Sequence, residues 1–401
     1  MNLKSGFPYW LVKNGLPFNY PKLEKNIKTH VVVMGGGISG ALVAWHLTQK
    51  NVPCVVVDAR TIGLGSTCAS TSLLQYEIDE PLCRLQHKVG YSNAVRAYQL
   101  CKESIDSLAL IAKKIGVNDF SLKPSLYYAA YNKDISFLKD EFIIRKENGF
   151  KVQWLDQNDI LGKFGFSAPG AIFSKHGAQT NAYMFTHCLH QHAIKKGMQL
   201  YDRTNIESIH HGKQQVILKT SEGHTITAAK MVYATGYEVV NYINKKIVKL
   251  TSTYATASEH MDNDEKIWDN NALIWNTADP YLYMRTTDDN RIIVGGRDED
   301  FYSPAKRDKL IDKKAKQLQG DFTKLFPAIK FLPEFNWCGT FGSTEDGLPF
   351  IGKYSGLSNS FFALGFGGNG ITFSQIAAEI ITDLIIGNEN KDAKIFSFER
   401  L

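Results

Sequence analysis

The 401-residue chain has no paired cysteine spacing. Its six cysteines, Cys54, Cys68, Cys83, Cys101, Cys188 and Cys338, stand alone, without a C-x-x-C. That pattern argues against a zinc ribbon or a disulfide framework and for reduced thiols in a cytoplasmic protein. Prolines number 12 against 32 glycines, which excludes collagen-like and proline-rich disordered chains. No apolar run reaches the roughly 18 residues of a transmembrane helix. The apolar stretch at 361–371 is broken by glycines, and the final helical stretch carries Glu379 and Asp383. The start, Met1-Asn2-Leu3-Lys4, lacks the apolar centre of a signal peptide. Charge of one sign is scarce too. The 46 basic and 40 acidic residues leave a net +6, too little over this length to imply a nucleic-acid partner. No repeat of roughly 20–50 residues is present.

What is present reads as a globular chain. Apolar residues make up 44% and charged residues 21%, and 18 Tyr and 23 Phe suggest a large core and an aromatic-lined pocket. At roughly 100–200 residues per domain, two or three domains are expected. Residues 1–27, with Pro8, Pro17 and Pro21, read as an extended N-terminal leader. His30-Val31-Val32-Val33-Met34 predicts a strand running into Gly35-Gly36-Gly37. A helix follows over 38–50, then the strand Val55-Val56-Val57, ending at Asp58. This is a β-α-β unit. Apolar periodicity predicts helices over 81–116, 135–148 and 180–196. Strands are expected at 125–131 and 151–155, with a meander over 199–228 and a separate strand at 230–236. Residues 247–300 read as β-rich. Ser303-Pro304 opens a helix to about residue 326, with Ser as cap and Pro at the first position. Its Lys306, Arg307, Lys309, Lys313, Lys314 and Lys316 read as a solvated face. A strand at 361–364 and a helix over 371–386 close the chain.

Gly35, Gly37 and Gly40 fit G-x-G-x-x-G between a strand and a helix. The first allows a tight turn, the second lets a pyrophosphate approach the backbone, and the third lets helix and strand pack closely. The free amides at the helix start, including those of Ile38 and Ser39, favour phosphate. Asp58 ends the second strand, where a carboxylate can accept from a ribose hydroxyl. The next loop, Gly65-Ser66-Thr67-Cys68-Ala69-Ser70-Thr71-Ser72, offers hydroxyls and amides suited to a further phosphate and ring system, which argues for FAD over NAD. His187, His190 and His192 lack the H-E-x-x-H pattern, so no metal site is expected.

Six blocks in order resemble the D-amino-acid-oxidase family of flavoproteins, which includes glycine, sarcosine and γ-glutamylputrescine oxidases. They are 31–58, 66–73, the strand containing Ile206, Ala234-Thr235-Gly236, 342–352, and Leu364-Gly365-Phe366-Gly367-Gly368-Asn369-Gly370-Ile371. The resemblance implies an α/β (α+β overall) fold of discontinuous segments. A Rossmann-like FAD-binding domain would take 28–123, 161–246 and 333–401. A β-sheet-rich substrate domain would take 124–160 and 247–332. It also implies non-covalent FAD held by Gly35, Gly37, Ile38, Ser39, Gly40, Asp58, Ala59, Arg60, Ser66, Thr67, Thr71, Ser72, Leu73, Ile206, Ala234, Thr235 and Gly236. Gly367, Gly368, Asn369, Gly370 and Ile371 would lie at the flavin's negative edge. The family reaction is oxidation of an amine or amino-acid C–N bond by hydride transfer to flavin N5, with hydrolysis of the imine. Electrons would then pass to oxygen or another acceptor. Alternatives on the same fold are oxidation of a 2-hydroxy acid, or FAD binding without turnover.

Departures from the family bear on the substrate. Phe341 stands where glycine-oxidase-like members place a carboxylate-binding arginine, and Gly368 replaces a second arginine. Arg285, in Tyr281-Leu282-Tyr283-Met284-Arg285, is the expected substitute cation for a substrate anion. Tyr281 and Tyr254 are expected pocket walls. Ala69 occupies the position of a flavin-linking histidine, and Cys338 is one residue off the family's flavin-linking cysteine.

Overall fold

The computed structural model describes residues 1–243, 247–261 and 267–400. Two sheets dominate. The first is built on the predicted β-α-β unit. Strands Ile27–Met34 and Cys54–Val57 run parallel, and helix Ile38–Gln49 connects them. Their residues from Val31 to Val33 and from Val55 to Val57 are almost wholly buried, as fits a parallel sheet covered on both faces. Gln199–Tyr201 extends this sheet beyond Cys54–Val57, and Thr225–Tyr233 flanks Ile27–Met34 on the other side. That last strand is one continuous element, where a break near 228–230 was expected. Its two halves serve different neighbours. The first half pairs with the meander strand Val216–Thr220, and the second with Ser360–Leu364. Helices Ile38–Gln49 and Gly370–Ile385 pack against each other on one face, where Ser39 and Ser374 hydroxyls meet at 2.7 Å.

The second sheet contains nine strands among the described residues. Third in its order, Lys249–Ser258 lies between Pro333–Ser343 and Ile292–Glu299. Helix Ile311–Leu325 covers the face away from the first sheet's turns, burying Leu318 and Phe322.

Several expectations need correction. Residues 1–27 are not an extended leader. Lys4–Gly6 forms a strand paired to Gly339, Cys338 and Trp337, and helix Tyr9–Asn14 buries Tyr9 and Trp10. Ala171–Ser174 and Pro333–Ser343 pair within the nine-stranded sheet, although the sequence placed both segments in the FAD-binding domain. The expected boundary at residue 246 lies outside the described residues, as does Leu401. The helix opened by Pro304 breaks into Pro304–Asp308 and Ile311–Leu325, and its basic face is not all solvated. Arg307 is fully buried and donates to Thr340 Oγ1 at 3.0 Å and to the Asn2 carbonyl at 3.2 Å. Lys314 donates to the Arg297 carbonyl at 2.7 Å and pairs with Glu299 at 2.6 Å. Helix Gln157–Phe164 went unpredicted, though its Asp156–Asp159 capping box is a sequence-level start signal.

Candidate functional site

A cavity of about 520 Å³ lies between the two sheets, within the size range of small-molecule sites. It begins at the Gly35–Gly37 turn. Gly35 has φ +112°, and a Cβ there would stand 2.3 Å from the Ala234 carbonyl oxygen, so only glycine is tolerated. A Cβ on Gly40 would stand 1.8 Å from the Gly35 carbonyl oxygen. The helix therefore packs directly on the turn, as the motif predicts. The Asp58 carboxylate locks this turn by accepting from Gly36 N at 2.7 Å and Arg60 N at 2.8 Å. Burial raises the Asp58 carboxyl pKa, while these two amides oppose the rise. The Ile38 amide donates to Thr67 Oγ1 at 3.1 Å, tying the helix start to the hydroxyl-rich loop.

Two indoles hold that loop. Trp10 Nε1 donates to the Ser70 carbonyl at 2.7 Å, and Trp337 Nε1 to the Ala69 carbonyl at 2.8 Å. Ser72 takes φ +59°, a left-handed conformation uncommon for a residue with a Cβ. Arg285 braces it. Its Nη1 donates to the carbonyls of Ser72 and Thr180, each at 2.9 Å, and of Thr71 at 3.3 Å. Its Nε donates to the Thr286 carbonyl at 3.0 Å.

Most residues expected at a cofactor line this cavity. Asp58, Ala59, Arg60 and Ile206 do so near the first sheet. Ser66, Thr67, Thr71, Ser72 and Leu73 do so from the loop, Thr235 and Gly236 from the strand-end turn, and Gly367, Gly368, Gly370 and Ile371 from the last turn. Gly40, Ala234 and Asn369 stand behind the wall. Asn369 Nδ2 instead clamps the carbonyls of Gln75 at 2.9 Å and Glu77 at 2.8 Å. Arg60 is already engaged, pairing with Glu238 at 2.6 Å. The Gly368 amide is engaged as well, donating to Asp79 Oδ2 at 2.6 Å.

The substrate-side expectations fare unevenly. Tyr281 lines the cavity, and its hydroxyl reaches Asp79 Oδ1 at 3.4 Å. Tyr254 borders it, but its ring belongs to the core under helix Ile311–Leu325, and its hydroxyl donates to the Arg307 carbonyl at 3.4 Å. Arg285 is absent from the lining, because backbone carbonyls already occupy its guanidinium. The sequence missed Tyr237, Tyr283, Thr253 and Gln75 on the wall. Tyr283 lies flat on its neighbour strand. A Cβ on Gly295 would stand 2.3 Å from Tyr283 Cζ, so the Gly295-Gly296 pair was a readable signal of close approach. Two of the three histidines have ordinary partners. His190 Nε2 meets the Gly36 carbonyl and His187 Nδ1 meets Tyr20 Oη, each at 3.0 Å. Cys338 is buried away from the cavity lining, with Sγ 3.5 Å from Asp308 Oδ1.

A family model described as FAD dependent oxidoreductase matches residues 30–384. The chain belongs to the DAO family of FAD-dependent oxidoreductases. Probable oxidoreductase OrdL of Haemophilus influenzae is 20% identical, over 96% of this chain and 89% of its own length. The γ-glutamylputrescine oxidoreductase of Escherichia coli is 22% identical, over 93% of this chain and 87% of its own. The crystal structure of glycine oxidase from Geobacillus kaustophilus superposes with a TM-score of 0.77 at 20% identity, covering 93% of this chain and 99% of the other. At that identity the likeness establishes a shared fold.

The family's cofactor is FAD, and the cavity fits it on structural grounds. Three side-chain atoms on its wall are closed to solvent and have no hydrogen-bond partner within the protein: Ser66 Oγ, Gln75 Nε2 and Thr235 Oγ1. Buried polar groups without partners are rare in native proteins and call for a ligand or water. Gly37 adds a close approach, since a Cβ there would stand 2.8 Å from Thr67 Oγ1. Among the described residues, no helix is long and apolar enough to cross a membrane.

Proposed function

We propose that the protein oxidises a C–N bond of a small amine. The observation that carries this reading is the single cavity joining the dinucleotide turn to a tyrosine-lined end. In this reading Gly35, Gly37, Ile38 and Ser39 hold the pyrophosphate, Asp58 a ribose hydroxyl, and Ile206 the adenine. Ser66, Thr67, Thr71, Ser72 and Leu73 follow the cofactor towards its ring, as do Thr235 and Gly236. The start of helix Gly370–Ile385 favours negative charge beside Gly367 and Ile371. Bound FAD supplies a two-electron acceptor. With FAD bound, a neutral amine would lose its C–H hydrogen together with the bonding electron pair, the chemistry the cofactor would supply here. Water then adds to the resulting iminium, giving a carbonyl compound and a free amine. Oxygen or another acceptor takes the electrons onward. The names of relatives point the same way, since glycine oxidase, opine oxidase and γ-glutamylputrescine oxidoreductase are named for nitrogen compounds.

Oxidation of a 2-hydroxy acid fits less well. Its carboxylate needs a cation in a desolvated site. Arg60 is the one basic side chain on the described wall, and Glu238 already neutralises it. We also propose a cytoplasmic setting, supported by six free thiols. Anaerobic mixing of the holoprotein with amines, N-methyl amino acids, D-amino acids and 2-hydroxy acids tests the reading. Bleaching of the flavin spectrum by an amine or amino acid supports it. Bleaching by hydroxy acids alone overturns it, as does bleaching by dithionite but by none of these compounds.

A further inference from the structure

The family model matches from residue 30 onward, yet residues before it help to build the cavity. Leu3 lines the wall, and its carbonyl accepts from the Thr340 amide at 2.8 Å. Strand Lys4–Gly6 then runs along the edge of the nine-stranded sheet. The Phe7 amide continues the pairing by donating to the Asn336 carbonyl at 2.8 Å. Helix Tyr9–Asn14 follows, and Lys13 fastens it to Asp288 at 2.7 Å, in the hairpin between strands Tyr283–Thr286 and Ile292–Glu299. On its inner side Tyr9 and Trp10 join Cys68, Tyr183 and Trp337 in one buried cluster.

Beyond this helix the chain crosses to the first sheet. Tyr183 Oη donates to the Gly15 carbonyl at 3.0 Å. The Asp202 amide donates to the Pro21 carbonyl, and the Leu23 amide to Thr204 Oγ1, each at 3.1 Å. Asp202 and Thr204 follow directly on Gln199–Tyr201, the edge strand of the first sheet, and Thr204 itself lines the cavity. Residues 3–23 therefore span from the edge of one sheet to the edge of the other. Midway they grip the hydroxyl-rich loop, where Trp10 Nε1 donates to the Ser70 carbonyl at 2.7 Å. From Gly65 to Ser72, every residue of that loop except Cys68 lines the cavity. Ligand-binding loops open at low free-energy cost unless other segments hold them, and a bound ligand leaves at the rate at which its wall opens.

We propose that residues 3–23 are an integral wall of the cofactor site, with Leu3 touching bound FAD and Trp10 holding the Gly65–Ser72 loop in place, and that this belt sets how slowly the non-covalent cofactor leaves. Leu3 is a contact residue. Trp10 is a positioning residue, because it acts through the Ser70 carbonyl. The assignment is independent of which bond the protein oxidises.

The test follows FAD release from diluted holoprotein, read as the rise in flavin fluorescence. A protease recognition sequence is inserted after Leu16, which is 64% exposed. Before cutting, release should match that of the unmodified chain. Once the chain is cut and the freed segment removed, release should be roughly tenfold or more faster. Trp10→Phe keeps a ring but loses the Nε1 donor, and Leu3→Ala trims the wall. Each should speed release roughly threefold, with the visible spectrum of the flavin still bound unchanged. Leu318→Ala, in the core under helix Ile311–Leu325, is the destabilised control and should leave release unchanged. Unchanged release after the segment has gone overturns the proposal, as does a control that loses FAD as fast as Trp10→Phe. If the cut segment stays attached, or the cut chain precipitates, the two point variants decide, and unchanged release in either overturns the proposal.

Discussion

Replacing Arg285 with methionine separates two roles for this residue. The sequence suggests a substrate anchor, whereas the structure makes it a brace for the Thr71–Ser72 turn. Arg285 is 2% exposed, and its two shortest contacts are to the carbonyls of Ser72 and Thr180 at 2.9 Å. Leaving a buried carbonyl without a donor costs about 1–3 kcal/mol, so these two together cost about 2–6 kcal/mol. Loss of the guanidinium 5.2 Å from the Trp10 ring centroid adds roughly 0.5–2 kcal/mol. Methionine also removes a buried charge, whose desolvation draws Arg285 down to about 10 against the pull of Asp119 and Asp288. That relief offsets part of the loss, leaving a net destabilisation of about 2–4 kcal/mol. The assay is urea unfolding of the holoprotein, with FAD retention and KM measured on the same preparation. The unfolding midpoint should fall and FAD should dissociate more readily, because Thr71 and Ser72 line the cavity. KM on the FAD-loaded fraction should stay within about twofold, an effect under roughly half a kcal/mol. A large rise in KM with unchanged unfolding and FAD retention would refute the bracing role.

Gly40→Ala places a methyl 1.8 Å from the Gly35 carbonyl oxygen. Overpacking of this kind costs about 1–3 kcal/mol and displaces the turn, so the variant should purify with less FAD than the unmodified chain. Equal flavin content would contradict it.

Local signals were legible in the sequence. The β-α-β unit with Gly35, Gly37, Gly40 and Asp58 appears as predicted, because its partners lie within 30 residues of one another. Long-range satisfaction was not legible. Lys4–Gly6 reads as leader because the residues it pairs with, Trp337, Cys338 and Gly339, lie more than 300 residues later. Arg307 reads as solvated because its acceptors come from Asn2 and Thr340. Arg285 reads as a substrate cation because the carbonyls it braces belong to residues 71, 72 and 180. Asp79 is silent in sequence because its partners are the Gly368 amide and Tyr281.

The central claim is that one cavity between the two sheets holds one FAD through non-covalent contacts. Acid precipitation of the purified protein tests it directly, with the flavin then measured in supernatant and pellet. The account predicts one flavin per chain, all of it in the supernatant as FAD. A colourless protein that takes up no added FAD, or flavin that stays with the pellet, would contradict it.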